Sequence, residues 1–122
     1  MILADTSVWI DHLHRQDRAL QGVLVAKDLL IHPFVIGEIA VGRWPDRIAT
    51  LEMLRDLPMP SVAEDQEVLR IIEDWELSGT GIGYLDVHLL ASVLLTPETR
   101  LWTRDKRLRE VAKQLSLDAK LN

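Results

Sequence analysis

Cysteine is absent from the 122-residue chain, which excludes disulfides, thiolate-held zinc and a cysteine nucleophile together. Glycine and proline are sparse, at six and five residues, so neither a fibrous repeat nor a low-complexity linker fits. Phenylalanine and tyrosine occur once each, leaving four tryptophans to supply most of the aromatic surface. No apolar run approaches the roughly 18 residues of a membrane span. Met1 leads directly into Ile2-Leu3-Ala4-Asp5, without the basic start and longer apolar stretch of a secretory signal. What remains is an ordinary globular balance, 48% hydrophobic and 27% charged, enough for one core and one domain over residues 1–122. A soluble, cytoplasmic protein that does not enter a membrane is the expectation.

Net charge is −5, which by itself speaks against a nucleic-acid partner. The charge is unevenly spread. Residues 1–99 carry seven Lys/Arg against sixteen Asp/Glu, whereas residues 100–122 carry seven against three. Arg100, Arg104, Lys106, Arg107 and Arg109 fall within ten positions, either a solvated helix face or a phosphate-binding patch.

Short apolar runs alternate with helix-period segments, the pattern of an α/β fold with a short, mainly parallel sheet. Strands are predicted at 2–4, 29–31 and 101–103, with a weaker one at Ser61-Val62. Helices are predicted after Asp5, capped by Thr6 or Ser7, and over 17–26, 35–42, 45–57, 64–77, 84–95 and 105–115. The 84–95 segment is apolar almost throughout and reads as the central helix. Trp9, Trp75 and Trp102 fall on apolar faces and are expected in the core. Trp44, between Arg43 and Pro45, is the one expected to be free to stack on a base.

Four acids stand out by position. Asp5 and Asp105 each follow a strand, at the carboxyl edge where open α/β sheets bind their ligands. Glu38 lies about a turn past Pro33 and leans over the same edge. Asp86 sits in the first turn of the apolar helix, among Ile82, Leu85, Val87, Leu89 and Leu90, where an acid needs a partner. Each has a plain structural alternative: Asp105 as a helix cap, Asp5 as a cap or turn residue, Glu38 as a solvated side chain. Brought together, the acids would repel one another and raise their own pKa values unless a cation neutralised them. All-oxygen donors suit Mg²⁺ or Mn²⁺, and such a site supports phosphodiester hydrolysis. Thr6 and Thr103, each near an acid, are candidates to hold a water or the scissile phosphate.

The segments Met1–Asp11, Phe34–Ala40, Gly81–Ser92 and Leu101–Leu108 together resemble a PIN domain, and more narrowly the VapC-type toxins of bacterial toxin–antitoxin pairs. The likeness covers nearly the whole chain, with four motifs in family order. It implies a Rossmann-like α/β/α sandwich and a Mg²⁺- or Mn²⁺-dependent endoribonuclease. It also implies a homodimer and inhibition by a VapB-type antitoxin. By position Asp5, Glu38, Asp86 and Asp105 match the family's acidic quartet. Asp5 and Asp86 would be the main metal ligands, Asp105 would assist directly or through water, and Glu38 would position the attacking water or a second ion. Arg104 and Lys106, in the basic segment, are expected on the RNA substrate together with Thr6 and Thr103, with Arg43 and Arg47 adding phosphate contacts. Asp11 and His88 lie in family-like strings but are expected to be structural. Two alternatives stay open: a non-catalytic RNA- or protein-binding module, and a metal nuclease acting on DNA. A phospho-acceptor receiver domain is disfavoured, because Thr6, not an acid, follows Asp5.

Overall fold

A computed structural model describes all 122 residues. The chain runs β1 (Ile2–Ala4), α1 (Thr6–His14), α2 (Arg18–Val25), β2 (Leu29–Leu30), α3 (Pro33–Ala40), α4 (Arg47–Arg55), α5 (Asp65–Asp74), α6 (Tyr84–Leu95), β3 (Arg100–Trp102) and α7 (Lys106–Gln114). The three strands form one parallel sheet in the order β2-β1-β3, so the fold is α/β as expected. Having paired β2 on one side of β1, the chain crosses back through four helices and lays β3 on the other. That reversal makes the carboxyl end of β1 a topological switch point, the place where α/β sheets open a crevice.

The sheet is short and buried on both faces. Leu3, Ala4, Leu29, Leu30, Leu101 and Trp102 are all core residues. Parallel strands covered on both sides read as unbroken apolar runs, which is how these segments appear in the chain. Helix α6 is buried over the whole stretch Val87–Val93, including His88 and Ser92, and packs on both α5 and β3. It is therefore the central helix that its composition predicts.

Several expectations are corrected. No strand forms at Ser61-Val62. Pro58 and Pro60 lack the N–H that a ladder needs, and the segment instead caps its neighbours: Ile31 donates to the Pro58 carbonyl at 2.9 Å, and Ser61 N–H donates to Thr96 Oγ1. A further edge forms where none was expected. The C-terminal tail runs parallel to β3, with Leu101 donating to the Leu117 carbonyl at 2.7 Å and Ala119 donating to the Leu101 carbonyl at 2.8 Å. Trp75 is not core; it caps the C-terminus of α5 and is 42% exposed, because α5 is amphipathic and turns inward on Val68 and, in part, Ile71 and Ile72. Trp9 and Trp102 are fully buried. Trp44 is not free: its indole N–H donates to the Ile39 carbonyl at 2.9 Å and its ring meets His14 edge-on.

Candidate active site

Helices α1, α6 and α7 point their N-termini at the carboxyl edge of the sheet, and each carries one of the expected acids there. Asp5, not Thr6 or Ser7, is the N-cap of α1; its Oδ1 accepts from Ser7 N–H at 3.0 Å and from Val8 N–H at 3.4 Å. Asp105 is the N-cap of α7, with Oδ1 accepting from Leu108 N–H at 3.0 Å. Asp86 occupies the third position of α6 and reaches back to Gly83 N–H through Oδ2, at 3.2 Å. Capping and site formation are thus not alternatives. One carboxylate oxygen satisfies a helix's orphan N–H groups, and the helix's positive end in turn favours the negative charge.

Glu38 comes from the opposite side, on α3. That helix is started by Pro33 and capped by His32, whose Nδ1 accepts Phe34 N–H at 3.0 Å. Thr6 Oγ1 donates to Glu38 Oε1 at 2.8 Å, tying α1 to α3 across the cavity. Asp5, Glu38, Asp86 and Asp105 then line one cavity of about 250 Å³, with Thr6, Ser7, Ile10 and Leu89 completing its wall. All four acids that the chain places at this edge meet there.

Asp5 is the buried member and the most firmly held. Ser7 Oγ donates to its Oδ1 at 2.5 Å, and Thr103 Oγ1 donates to its Oδ2. Both hydroxyls are also acceptors: Ser7 Oγ takes Arg104 N–H at 2.9 Å, and Thr103 Oγ1 takes Asp105 N–H at 3.0 Å. Asp5 is therefore linked, one hydroxyl on each side, to the turn between β3 and α7. Burial pushes the Asp5 carboxyl above its ordinary value, although Ser7, Thr103 and the helix N–H groups pull it down. Asp86 is also raised. Burial is the main cause, Gly83 N–H opposes it, and the charges of Asp105, Asp5 and Glu38 add to it.

In the protein's own hydrogen bonding, Asp86 Oδ1, Asp105 Oδ2 and Glu38 Oε2 are left without a donor. No cation of the chain pairs with any of the four acids. The chemistry is that of hard oxygen donors around a small aqueous space. No three of the side chains lie close enough in this structure to close on a metal ion, so an ion bound here would have to draw much of its shell from water.

The basic residues distribute differently from the expectation. Arg104 is spent inside the protein: Nη1 bonds Asp11 at 2.8 Å, Nη2 bonds Asp17 at 2.6 Å and Nε donates to the Asn122 carbonyl at 3.1 Å. Asp17 is the N-cap of α2, so this guanidinium joins α1, α2 and the C-terminal tail behind the site. Arg47 likewise donates to the Ala40 carbonyl, at 2.6 and 3.1 Å. Lys106 remains exposed on the first turn of α7. Beside it Arg107 lies against Gly81, whose φ of +85° and missing Cβ make room for the guanidinium.

Two groups were not legible as partners in the chain. Ser7 shows only its adjacency to Asp5 and Thr6. Asp65 shows nothing, yet Tyr84 Oη donates to it at 2.9 Å and buried His88 Nε2 lies 3.1 Å from the same oxygen, on the far side of α6.

Residues 2–114 match the family model described as "PIN domain". The chain belongs to the PIN-domain family. Within that family it is 45% identical over 109 residues to Ribonuclease VapC32 of Mycobacterium tuberculosis, in strain CDC 1551 / Oshkosh and equally in strain ATCC 25618 / H37Rv. The match covers 89% of this chain and 88% of the relative. No helix of the PIN domain is long and apolar enough to cross a membrane.

Proposed function

We propose that this PIN domain is a Mg²⁺- or Mn²⁺-dependent endoribonuclease that acts as the toxin of a VapBC-type pair. The convergence of Asp5, Glu38, Asp86 and Asp105 on one small cavity carries the reading. The name of its 45%-identical relative, a ribonuclease, supports RNA as the substrate over DNA.

Asp5 and Asp86 would be the main ligands of the ion, Asp86 through its free oxygen and Asp5 through the remaining lone pair of Oδ2, with Asp105 assisting directly or through water. A bound Mg²⁺ or Mn²⁺ would supply charge neutralisation among the acids and Lewis-acid stabilisation of the phosphate. Glu38, exposed and held by Thr6, is placed to orient the attacking water and accept its proton. Water oxygen attacks phosphorus, the bond to the leaving ribose oxygen breaks, and that oxygen regains a proton from solvent. Ser7 and Thr103 keep Asp5 in a single rotamer, so the carboxylate need not reorganise during the reaction. Thr6 and Lys106 contact the substrate, and Arg107 joins them; Thr103, expected there too, is fully buried with its hydroxyl committed to Asp5 and to Asp105 N–H, and serves the site from behind. Arg104 acts by fixing the β3–α7 turn on which Asp105 stands.

Val41 and Ile48, 89% and 73% exposed on the α3–α4 side, are the apolar surface on which we place the VapB-type antitoxin. Leu69, Tyr84 and Leu85, exposed on α5 and α6, would serve a second copy of the chain in a homodimer. A cytoplasmic location fits an enzyme whose substrate is cellular RNA.

Purified chain, free of any partner, should cut total bacterial RNA into discrete fragments with Mg²⁺ or Mn²⁺ and not with EDTA. Folded Asp86→Asn should leave the RNA intact. Absence of cleavage with either metal, from folded protein that still binds RNA, would replace the reading with that of a binding module.

A further inference from the structure

At the opposite end of β3 from the acids lies a second cavity, of about 470 Å³, with no apolar residue in its lining. Arg100, Lys113 and Lys120 face it, together with Ser116 and Asp118. Arg100 Nη1 is oriented by the Ser116 carbonyl at 2.8 Å, and none of the three cations forms an ion pair, not even with Asp118 in the same cavity. Ser116 and Lys120 both adopt left-handed backbone, with φ of 59° and 61°, so the tail bends on either side of Asp118 to enclose the space.

Helix α7 runs from one cavity to the other, with its cap Asp105 in the acidic one and Lys113 in this one. Lys106, at the site end, and Lys113, in the cationic cavity, are seven residues apart, two turns of one helix. They therefore share a face, within about 20°, and are separated by about 10.5 Å along the axis. A single strand covers that distance in about two to three nucleotide steps, since its backbone can extend beyond the roughly 3.4 Å rise of a duplex strand. The tail strand beside β3 leads the same way, from Asp118 back to Asn122 at Arg104. Glu110 and Asp118 are the acids on this route. Residues 100–122 nevertheless carry seven basic against three acidic side chains in a chain of net charge −5, the largest basic excess along it, so this segment is the natural source of a polyanion's non-specific affinity.

We propose that single-stranded RNA engaged at the acidic cavity runs along α7 and seats a backbone phosphate in the cavity of Arg100, Lys113 and Lys120. The inference rests on the ribonuclease reading and adds to it an RNA-holding subsite remote from the reacting phosphate. RNAs that span both cavities gain affinity from it, and very short ones do not.

The test uses the full chain carrying Glu38→Gln, in Mg²⁺, so that the acidic cavity keeps its cation while bound RNA survives. Fluorescence anisotropy would measure the Kd of oligonucleotides of about 2 and about 12 nucleotides across a salt series. Adding Lys113→Ala and Lys120→Ala should lower the slope of log K against log salt for the longer RNA by about 0.7, the value for the one single-strand phosphate seated there. Its Kd at 0.1 M salt should rise roughly 5-fold, as that slope implies. The shorter RNA should lose far less, and Lys113→Arg with Lys120→Arg should retain the binding of the longer one. An unchanged slope in a folded protein, or equal losses for both lengths, overturns the subsite. If the unsubstituted chain cleaves RNA while the lysine substitutions change nothing, only this inference fails. If it neither binds nor cleaves RNA, the ribonuclease reading fails with it.

Discussion

Asp86→Asn should make the metal-free protein more stable while abolishing its activity. The carboxyl of Asp86 is held above its ordinary value by burial and by the charges of Asp105, Asp5 and Glu38. An acid raised in the fold contributes stability that is fully present below its unfolded value of 3.8 and is lost as pH rises through the folded value. At pH 7 the ionised group is therefore a net cost. A partly exposed charge pair is worth about 0.2–1 kcal/mol, so three repulsive neighbours, discounted for solvent screening, sum to about 1 kcal/mol. The amide keeps the helix cap, since its carbonyl oxygen can still accept Gly83 N–H. In a domain of this size about 1 kcal/mol moves Tm up by about 3–6 °C. The ion should act in the opposite direction. At a concentration 100 times its Kd, Mg²⁺ or Mn²⁺ would stabilise the unsubstituted protein by about 2.7 kcal/mol and the variant by much less. Thermal melts of both proteins in EDTA and in either metal decide the matter. A variant that melts below the parent in EDTA, or a metal shift equal in both, would refute the idea that these acids share one cation site.

Further consequences follow from the same geometry. His32 is fully buried, and burial, with His88 adding to it, lowers its pKa from 6.5 to about 4. The neutral ring's stability is present above pH 6.5 and should be lost as pH falls through about 4, by about 3 kcal/mol at about 1.4 kcal/mol per unit. Urea unfolding across that window should show the decline, and His32→Asn, which keeps an acceptor for Phe34 N–H, should flatten it. Thr103→Val removes the buried hydroxyl between Asp5 and Asp105 N–H and should cost about 1–3 kcal/mol. It should also move the acid limb of the pH–activity profile upward, because Asp5 loses a donor that favours its charged form; an unmoved limb would show that Asp5 is not the titrating group. Arg104→Ala should cost about 1–2 kcal/mol and speed amide exchange in the first turn of α2, where Asp17 loses its cation. Unaltered exchange there would mean that the guanidinium fixes nothing.

Much of the fold was legible because it rests on local patterns. A buried parallel strand must be a short apolar run, and Ile2–Ala4, Leu29–Leu30 and Leu101–Trp102 are such runs. Pro33 and Asp17 mark helix starts by rules that involve only a few neighbouring residues. Errors arose where a distant segment decided the outcome. Ser61-Val62 has strand-like side chains, but its flanking prolines and the Thr96 hydroxyl direct the backbone elsewhere. Trp75 has the spacing of a core residue and lies at an edge that α6 does not cover.

For the site, the chain by itself determined which side chains stand where strands become helices: Asp5, Asp105 and, in the first turn of α6, Asp86. Capping is a relation between a side chain and N–H groups two or three residues on, so sequence proximity is enough to establish it. Only the tertiary structure decided what each remaining atom meets. Thr6 turns to Glu38 across 32 positions, Thr103 to Asp5 across 98, and Arg104 away from substrate to Asp11 and Asp17, 93 and 87 positions distant. Hydrogen bonds and ion pairs are short-ranged, so a side chain's partner is set by which elements pack within a few ångströms. That depends on the crossover that carries β3 back beside β1, a choice made by the whole core and by no single motif.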